Sequence, residues 1–144
     1  MTTDIKKIMD ERFGHDTLLS VATTADNIPY VRFVDAYYEN GTFYSVTYAL
    51  SNKMKQIENN PVVAVCGEWF TAHGIGVNLG YIRDERNAEI AAKLRAAFVL
   101  WYDNGHTNEN DSNTCILCIK LTEGVLFHNG TRYDINFKDE STYE

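Results

Sequence analysis

The sequence has few cysteines, no long apolar run and no basic cluster, and each absence excludes a class of protein. Three cysteines among 144 residues are too few, and odd in number, for a disulfide framework. No run of about 18 apolar residues occurs, so we expect neither a membrane span nor membrane binding. Acidic residues outnumber basic ones by 20 to 13, and the formal net charge of −7 disfavours nucleic acid, whose phosphates require Lys and Arg. A small anion can still bind to a few local cations.

The familiar catalytic and metal-binding signatures are also missing. The sequence has none of the glycine-rich motifs that bind dinucleotides or nucleotide phosphates, and none of the motifs of zinc peptidases or serine hydrolases. No two histidines lie at metal-ligand spacing, so we predict no metal site. The four histidines are His15, His73, His106 and His128.

One cysteine pair needs separate treatment, because Cys115 and Cys118 form a C-x-x-C motif. We interpret the surrounding segment as a strand, in which residues three apart point to opposite faces. We therefore predict two small buried strand residues rather than a redox or zinc pair.

Composition places the chain among globular proteins. Hydrophobic residues make up 44% and charged residues 23% of the sequence, and we expect one domain over residues 1–144. The segment Met1–Glu11 lacks the apolar centre of a secretory signal, so we expect a cytoplasmic location. We expect the acidic end, Asp139–Glu144, to be solvated.

Short β-branched and alternating segments predict a chain of antiparallel strands. Asn40-Gly41 and Asn129-Gly130 are typical of tight hairpin turns, and Gly74 and Gly76 indicate a bulge or a close backbone approach. The predicted strands are Leu18–Thr24, Tyr30–Tyr38, Thr42–Tyr48, Val62–Cys66, Phe70–Val77, Cys115–Phe127 and Thr131–Phe137.

Helical spacing predicts three helices between these strands, at Asp4–Glu11, Ser51–Asn59 and Asp84–Trp101. Ser51 is a good N-cap, because its hydroxyl can accept from free amides in the first turn. Residues 103–113 are polar and predict a surface loop. About six strands with attached helices favour a mainly β (α+β) barrel over a doubly wound sheet.

The most informative segment is the start of the second helix. A helix N-terminus offers free amides and partial positive charge, and Ser51 and Lys53 add a hydroxyl and a full charge there. Arg32 lies within an apolar strand and needs either an anionic partner or an exit to solvent, because burying it unpaired is costly. We predict that Arg32 and Lys53 bind a phosphate. The alternative is an ordinary cap, a solvated Lys53 and an Arg32 that pairs with Asp35 or Asp26.

Two segments resemble the pyridoxamine 5'-phosphate oxidase-like proteins. Thr23–Val34 is similar to their first hairpin, in which an alanine-threonine strand leads to a turn, a proline and an arginine strand. Ser51–Val63 is similar to their serine-x-lysine helix, which ends in asparagine-proline. The resemblance covers Leu18–Val65. It implies a six-stranded antiparallel split β-barrel of the FMN-binding type, with two FMN sites in the groove of a homodimer.

The same resemblance implies which residues bind FMN. Four residues would bind or assist at the phosphate: Arg32, Lys53, Ser51 and Asn52. Four more would line the flavin ring or its ribityl chain: Phe33, Val34, Thr47 and Tyr48.

The likeness is strongest to the short stress-protein and nitroimidazole-reductase-like members. We therefore expect an FMN-dependent oxidoreductase of a small molecule, in which the flavin carries the redox chemistry. Beyond Arg95 the only arginine is Arg132, so the arginine-rich substrate segment is lacking and pyridoxamine phosphate oxidation is not expected. The alternatives are a non-catalytic flavin or haem binding or sensor module, with His73 as the haem ligand, and a barrel that binds nothing.

Overall fold

The computed structural model describes residues 1–138, which contain seven strands and three α-helices. The acidic end Asp139–Glu144 lies outside the described residues. The strands are β1 (Thr17–Ala25), β2 (Ile28–Glu39), β3 (Thr42–Tyr48), β4 (Val62–Gly67), β5 (Phe70–Tyr81), β6 (Thr114–His128) and β7 (Thr131–Asn136). The helices are α1 (Thr3–Phe13), α2 (Asn52–Asn59) and α3 (Ala88–Ala97), with a 3₁₀ turn at Glu85–Asn87.

The strands form a closed antiparallel barrel. Their order is β3-β2-β1-β4-β5-β6-β7, and an additional pairing between β3 and β6 closes the first six strands into a ring. β7 pairs with β6 outside this ring. The predicted mainly β fold, a six-stranded antiparallel barrel with helices, is confirmed, and the strand predicted at Thr131–Phe137 is β7, which lies outside the ring.

The two predicted hairpin turns have the backbone geometry that their sequences require. Asn40 and Gly41 have φ angles of 46° and 78°, and Asn129 and Gly130 have φ angles of 49° and 79°. A type I′ turn needs positive φ at both central residues, which Asn and Gly tolerate best. These turns fix the register of β2 with β3 and of β6 with β7.

The main core fills the barrel and is closed by two helices. α1 contributes Phe13, whose ring lies 5.5 Å from that of Phe43 and 5.4 Å from that of Phe70. α2 contributes Met54 and Ile57, which belong to the same buried cluster. Each helix therefore packs its apolar side onto the barrel core and leaves its polar side outward.

The two glycines predicted on β5 allow close packing there. A Cβ atom on Gly76 would lie 2.9 Å from Ile57 Cγ2, so this glycine lets α2 approach the strand. Gly74 follows a shift in the register of β5 with β6, and a Cβ atom there would lie 2.8 Å from Ile119 Cγ2. Both predictions, a bulge and a close approach, are confirmed.

The third helix is shorter than the predicted Asp84–Trp101. The Asp84 carboxylate accepts a hydrogen bond from the Arg86 amide at 3.0 Å, and the helical segment begins with a 3₁₀ turn instead of an α-helix. At the other end the α-helix stops at Ala97, and Trp101 Nε1 donates to Asp16 Oδ2 at 2.7 Å. The predicted apolar side is nonetheless buried, because it forms a second core cluster against the outside of β3 and β6.

The C-x-x-C pair has the predicted strand geometry. Cys115 belongs to the core cluster inside the barrel, whereas Cys118 is buried on the other side of β6. Among residues 1–138, no group of three or more His, Cys, Asp or Glu side chains could hold a metal ion. No helix in this part of the chain is long and apolar enough to cross a membrane.

Candidate functional site

The register of the first hairpin places Arg32 beside two oxygen atoms of β1. The turn is only two residues long, so Val21 lies opposite Arg32 and Thr23 lies two residues further along β1, towards the turn. Arg32 Nη1 donates to the Thr23 hydroxyl at 2.7 Å and to the Val21 carbonyl oxygen at 3.2 Å. Burial lowers the pKa of Arg32. The guanidinium is thus fixed at the barrel wall by neutral groups.

Lys53 reaches the same region from the first turn of α2. Its Nζ atom donates to the Thr47 hydroxyl at 2.7 Å, near the end of β3. Burial lowers the pKa of Lys53, and the nearby positive charge of Arg32 lowers it further. The fold therefore brings together the two cations that the sequence placed on separate elements.

Gln56 completes this arrangement and was missed by the sequence analysis. Its Oε1 atom accepts a hydrogen bond from Arg32 Nη2 at 3.1 Å and a second one from the Thr23 hydroxyl. Gln56 follows Lys53 by three residues on α2, so both side chains lie on one side of the helix. Arg32, Lys53 and their acceptors Thr23, Thr47 and Gln56 form what we call the cation cluster.

The acceptors of the cation cluster are all uncharged. Among residues 1–138, neither Arg32 nor Lys53 lies within ion-pair distance of a carboxylate. The alternative pairing of Arg32 with Asp35 or Asp26 is therefore wrong. Two positive charges share one region without an anion to balance them, which favours the binding of an external anion.

The N-terminus of α2 adds backbone donors to the same region. Ser51 is the N-cap, as predicted, because its hydroxyl accepts from the Met54 amide at 3.4 Å. The Lys55 amide donates to the Ser51 carbonyl oxygen at 3.1 Å. The amides of Asn52 and Lys53 have no acceptor within the described part of the chain. These free amides and the two cations together suit a doubly charged oxyanion such as a phosphate monoester.

Comparison with solved structures identifies the fold. A protein related to general stress protein 26, of the pyridoxinephosphate oxidase family, from Clostridium acetobutylicum superposes with a TM-score of 0.63 at 12% identity. The match covers 97% of this chain and 95% of that one. The chain has the pyridoxamine 5'-phosphate oxidase-like split-barrel fold. The resemblance in the two sequence motifs is thereby confirmed at the level of the fold.

Two other split barrels show that ligands differ among proteins of this fold. An FAD-binding protein from Mesorhizobium loti matches with a TM-score of 0.63 at 13% identity, covering 86% of this chain and 92% of that one. A heme binding protein from Mycobacterium smegmatis matches with a TM-score of 0.65 at 12% identity, covering 86% of this chain and 54% of that one. No protein-family model and no curated protein matches the sequence. Identities this low establish the split barrel and leave its ligand to the site itself.

The predicted residues at the end of β3 line a small polar cavity of the split barrel. Thr47 and Tyr48 face a space of about 250 Å³ next to the cation cluster. Tyr48 is 44% exposed, and Asn52 is exposed at the start of α2. The other wall of the cavity comes from the connection before β6, through His106, Thr107, Asn108 and Asp111. This connection was predicted only as a surface loop.

The remaining two predicted flavin residues do not share a surface. Phe33 is 69% exposed on the outside of β2, whereas the neighbouring Val34 belongs to the buried core. Neighbouring strand residues face opposite sides, so the two side chains lie on different faces of β2. Their roles in flavin binding, like those of the other predicted residues, stay predictions.

His73 lies apart from the cation cluster. It is on the outside of β5, where its Nδ1 atom hydrogen-bonds the Glu123 carboxylate. Both residues line a shallow hollow of about 370 Å³ whose walls include Ala22, Val31 and Ala64. The hollow contains none of the residues of the cation cluster.

Proposed function

We propose that this chain is an FMN-binding flavoprotein, and that it works as an FMN-dependent oxidoreductase of small molecules. The observation that carries the proposal is that Arg32 and Lys53 lie in one region of the fold. Among residues 1–138, neither has a carboxylate within ion-pair distance. The phosphate of FMN is a monoester that carries up to two negative charges near neutral pH, and it would balance both cations. The cytoplasmic location stays a prediction.

The residues present fit such a group. Arg32 and Lys53 would hold the phosphate oxygens, and the free amides of Asn52 and Lys53 would add backbone donors at the start of α2. When bound, the flavin supplies hydride or electron transfer. The chain would bind and orient it, so no protein acid or base is needed, in keeping with the missing catalytic signatures.

We also propose that two copies pair through the outer face of the barrel. This outer face is the side of β1, β2, β4, β5 and β6 that points away from the core. On it Val31 is 71% exposed and Phe33 is 69% exposed, and the hollow beside His73 continues the apolar surface. Monomeric proteins seldom leave a large contiguous patch of this kind uncovered. A C2 dimer would cover it with the same patch of a second copy.

FMN and riboflavin differ by one phosphate, and this difference provides the test. Removing either positive charge, in Arg32→Met or Lys53→Met, should weaken FMN binding by roughly ten- to a hundredfold, since a charge-assisted contact contributes about 1.5–3 kcal/mol. Riboflavin lacks the phosphate, so its weaker binding should stay within about twofold of the wild-type value. Flavin fluorescence quenching measures both dissociation constants.

Lys55→Met is the matched control, because Lys55 is an exposed lysine on the same helix. It should leave FMN binding unchanged within about twofold. If the affinities for FMN and riboflavin fell together, Arg32 and Lys53 would be structural residues. If neither affinity fell in either variant, the phosphate would bind elsewhere.

The absorption spectrum of freshly purified protein separates this proposal from the haem alternative. Bound flavin gives bands near about 370 and 450 nm, whereas haem gives a Soret band. A Soret band that is lost in His73→Ala would overturn the flavin proposal. Reduction of the bound flavin by a nicotinamide donor, followed by reoxidation with a quinone or nitro compound, would support the oxidoreductase activity.

A further inference from the structure

An amide occupies the position where a carboxylate would neutralise Arg32. Gln56 Oε1 lies 3.1 Å from Arg32 Nη2, which is a normal distance for a hydrogen bond and also for an ion pair. Glutamine and glutamate have nearly the same shape and differ here by one full charge. The chain therefore orients Arg32 through Gln56 without cancelling its charge.

The orientation leaves one side of the guanidinium available. Nη1 donates to Thr23, to Val21 and, at 3.5 Å, to the Tyr30 carbonyl oxygen, and Nη2 donates to Gln56, whereas Nε has no acceptor among residues 1–138. Arginine has five N–H donors in a rigid plane, so fixing one end of the plane also fixes the direction of the other. Thr23 is 1% exposed and donates to the same Gln56 oxygen, which holds that oxygen in place.

Gln56 also connects Arg32 to the helix that carries Lys53. Residues three apart on an α-helix lie on the same side, so one turn of α2 presents the ammonium group of Lys53 and the amide of Gln56 together. The distance between the two cations is thereby set by a rigid element. A phosphate monoester needs such a fixed spacing between donors.

We propose that Gln56 is a positioning residue that sets the specificity of the site for a dianionic phosphate monoester. It holds the Arg32 guanidinium and keeps its charge uncompensated, so the charge acts on the ligand. This inference rests on the proposed function, in which the ligand is FMN.

The test is the nearly isosteric substitution Gln56→Glu. The new carboxylate would form an ion pair with Arg32, and FMN binding should weaken by roughly ten- to a hundredfold. Riboflavin binding should stay within about twofold of wild type, and the ligand-free protein should melt at the same temperature or higher. A purely structural residue would not give this combination of weaker FMN binding and undiminished stability.

Asn59→Asp is the matched control for the added charge, because Asn59 is exposed on the same helix. It should change FMN affinity by no more than about threefold. Gln56→Met removes the acceptor without adding charge, so it should weaken FMN binding less than Gln56→Glu and should lower the melting temperature. The inference is overturned if Gln56→Glu binds FMN as tightly as wild type, or if both flavins bind more weakly as the protein loses stability.

Inorganic phosphate separates the failure of this inference from the failure of the proposed function. If wild type binds no flavin but is stabilised against heat by inorganic phosphate, and Gln56→Glu is not, then the flavin proposal fails and the role of Gln56 stands. If FMN binds wild type and Gln56→Glu equally well, the role of Gln56 fails and the flavin proposal stands. If inorganic phosphate and FMN both leave wild type unaffected, both are wrong.

Discussion

At the scale of single residues, the cation cluster makes the ligand-free protein less stable than its packing would allow. Lys53 is partly buried, and burial and the charge of Arg32 both lower its pKa. A lysine whose pKa is lower in the folded state is more readily protonated in the unfolded chain. The charged Lys53 therefore destabilises the folded protein fully at pH values below its lowered pKa. The free energy of unfolding then rises as the pH increases towards 10.5, the ordinary pKa of lysine.

We accordingly expect Lys53→Met to stabilise the ligand-free protein while it weakens FMN binding. The free energy of unfolding at pH 7 should rise by up to about 1 kcal/mol, because the buried charge near Arg32 is gone. Urea unfolding at pH 7 and pH 9.5 measures this. From pH 7 to pH 9.5, the free energy of unfolding should increase more for wild type than for the variant. A less stable Lys53→Met protein at pH 7 would show that the hydrogen bond to Thr47 outweighs the charge repulsion.

At the scale of elements, a partly buried carboxylate, that of Glu109, ties the connection before β6 to α3. Both oxygens of Glu109 accept from the Arg95 guanidinium at 2.8 Å, and one also accepts from the Tyr102 hydroxyl at 2.6 Å. Arg95 is the main cause that lowers the pKa of Glu109 to about 2. The pair secures one wall of the cavity beside Thr47 and Tyr48.

Glu109→Gln should therefore destabilise the protein in a pH-dependent way. A carboxylate with a depressed pKa stabilises the fold above its unfolded value of 4.5, and this contribution is lost as the pH falls through about 2. We expect a loss of roughly 2–3 kcal/mol at pH 7 and less than half of that at pH 3. Urea unfolding at the two pH values measures the difference. Equal losses at both pH values would mean that the hydrogen bonds accepted by the second carboxylate oxygen, and not the charge, matter at this position.

The elements that could be predicted from sequence are those fixed by local chemistry. Thr42–Tyr48 has the predicted bounds because Asn40-Gly41 fixes its start. The third helix was predicted too long because tertiary contacts, such as that of Trp101 with Asp16, decide where it ends. Local spacing cannot indicate such a contact.

The two cations of the candidate site could be predicted from the sequence, but the side chains that accept their hydrogen bonds could not. Arg32 and Lys53 stand out in the sequence because cations next to an apolar strand and a helix start need a partner. Thr23 and Gln56 are inconspicuous until the register of β1 with β2 is known. A two-residue turn at Asp26-Asn27 gives that register, but the predicted strands Leu18–Thr24 and Tyr30–Tyr38 leave residues 25–29 between them and so do not define it.

At the scale of the whole molecule, the exposed outer face decides the oligomeric state that we propose. The chain has a mass of 16.4 kDa, so light scattering should give about twice this value for wild type. Val31→Asp places a charge in the middle of the apolar face and should produce a monomer at micromolar concentration. Val31 is 71% exposed in the single chain, so the substitution should not disturb folding.

Leu100→Asp is the control for this prediction. Leu100 is 96% exposed after α3, outside the proposed interface, and its replacement should leave the dimer intact. A wild-type monomer would contradict the proposed interface. A Val31→Asp protein that remained dimeric would place the interface on another surface.

The closure of the barrel by β3 and β6 has a consequence for the order of events during translation. Every member of the cation cluster has been synthesised by residue 56, yet the part of β3 that carries Thr47 pairs with β6, where Thr47 lies opposite Cys115. A nascent chain halted on the ribosome before residue 114 has an unpaired strand edge in place of the finished wall. In the function that we propose, the binding of FMN should therefore coincide with the emergence of β6, late in synthesis, so that bound flavin indicates a completed barrel.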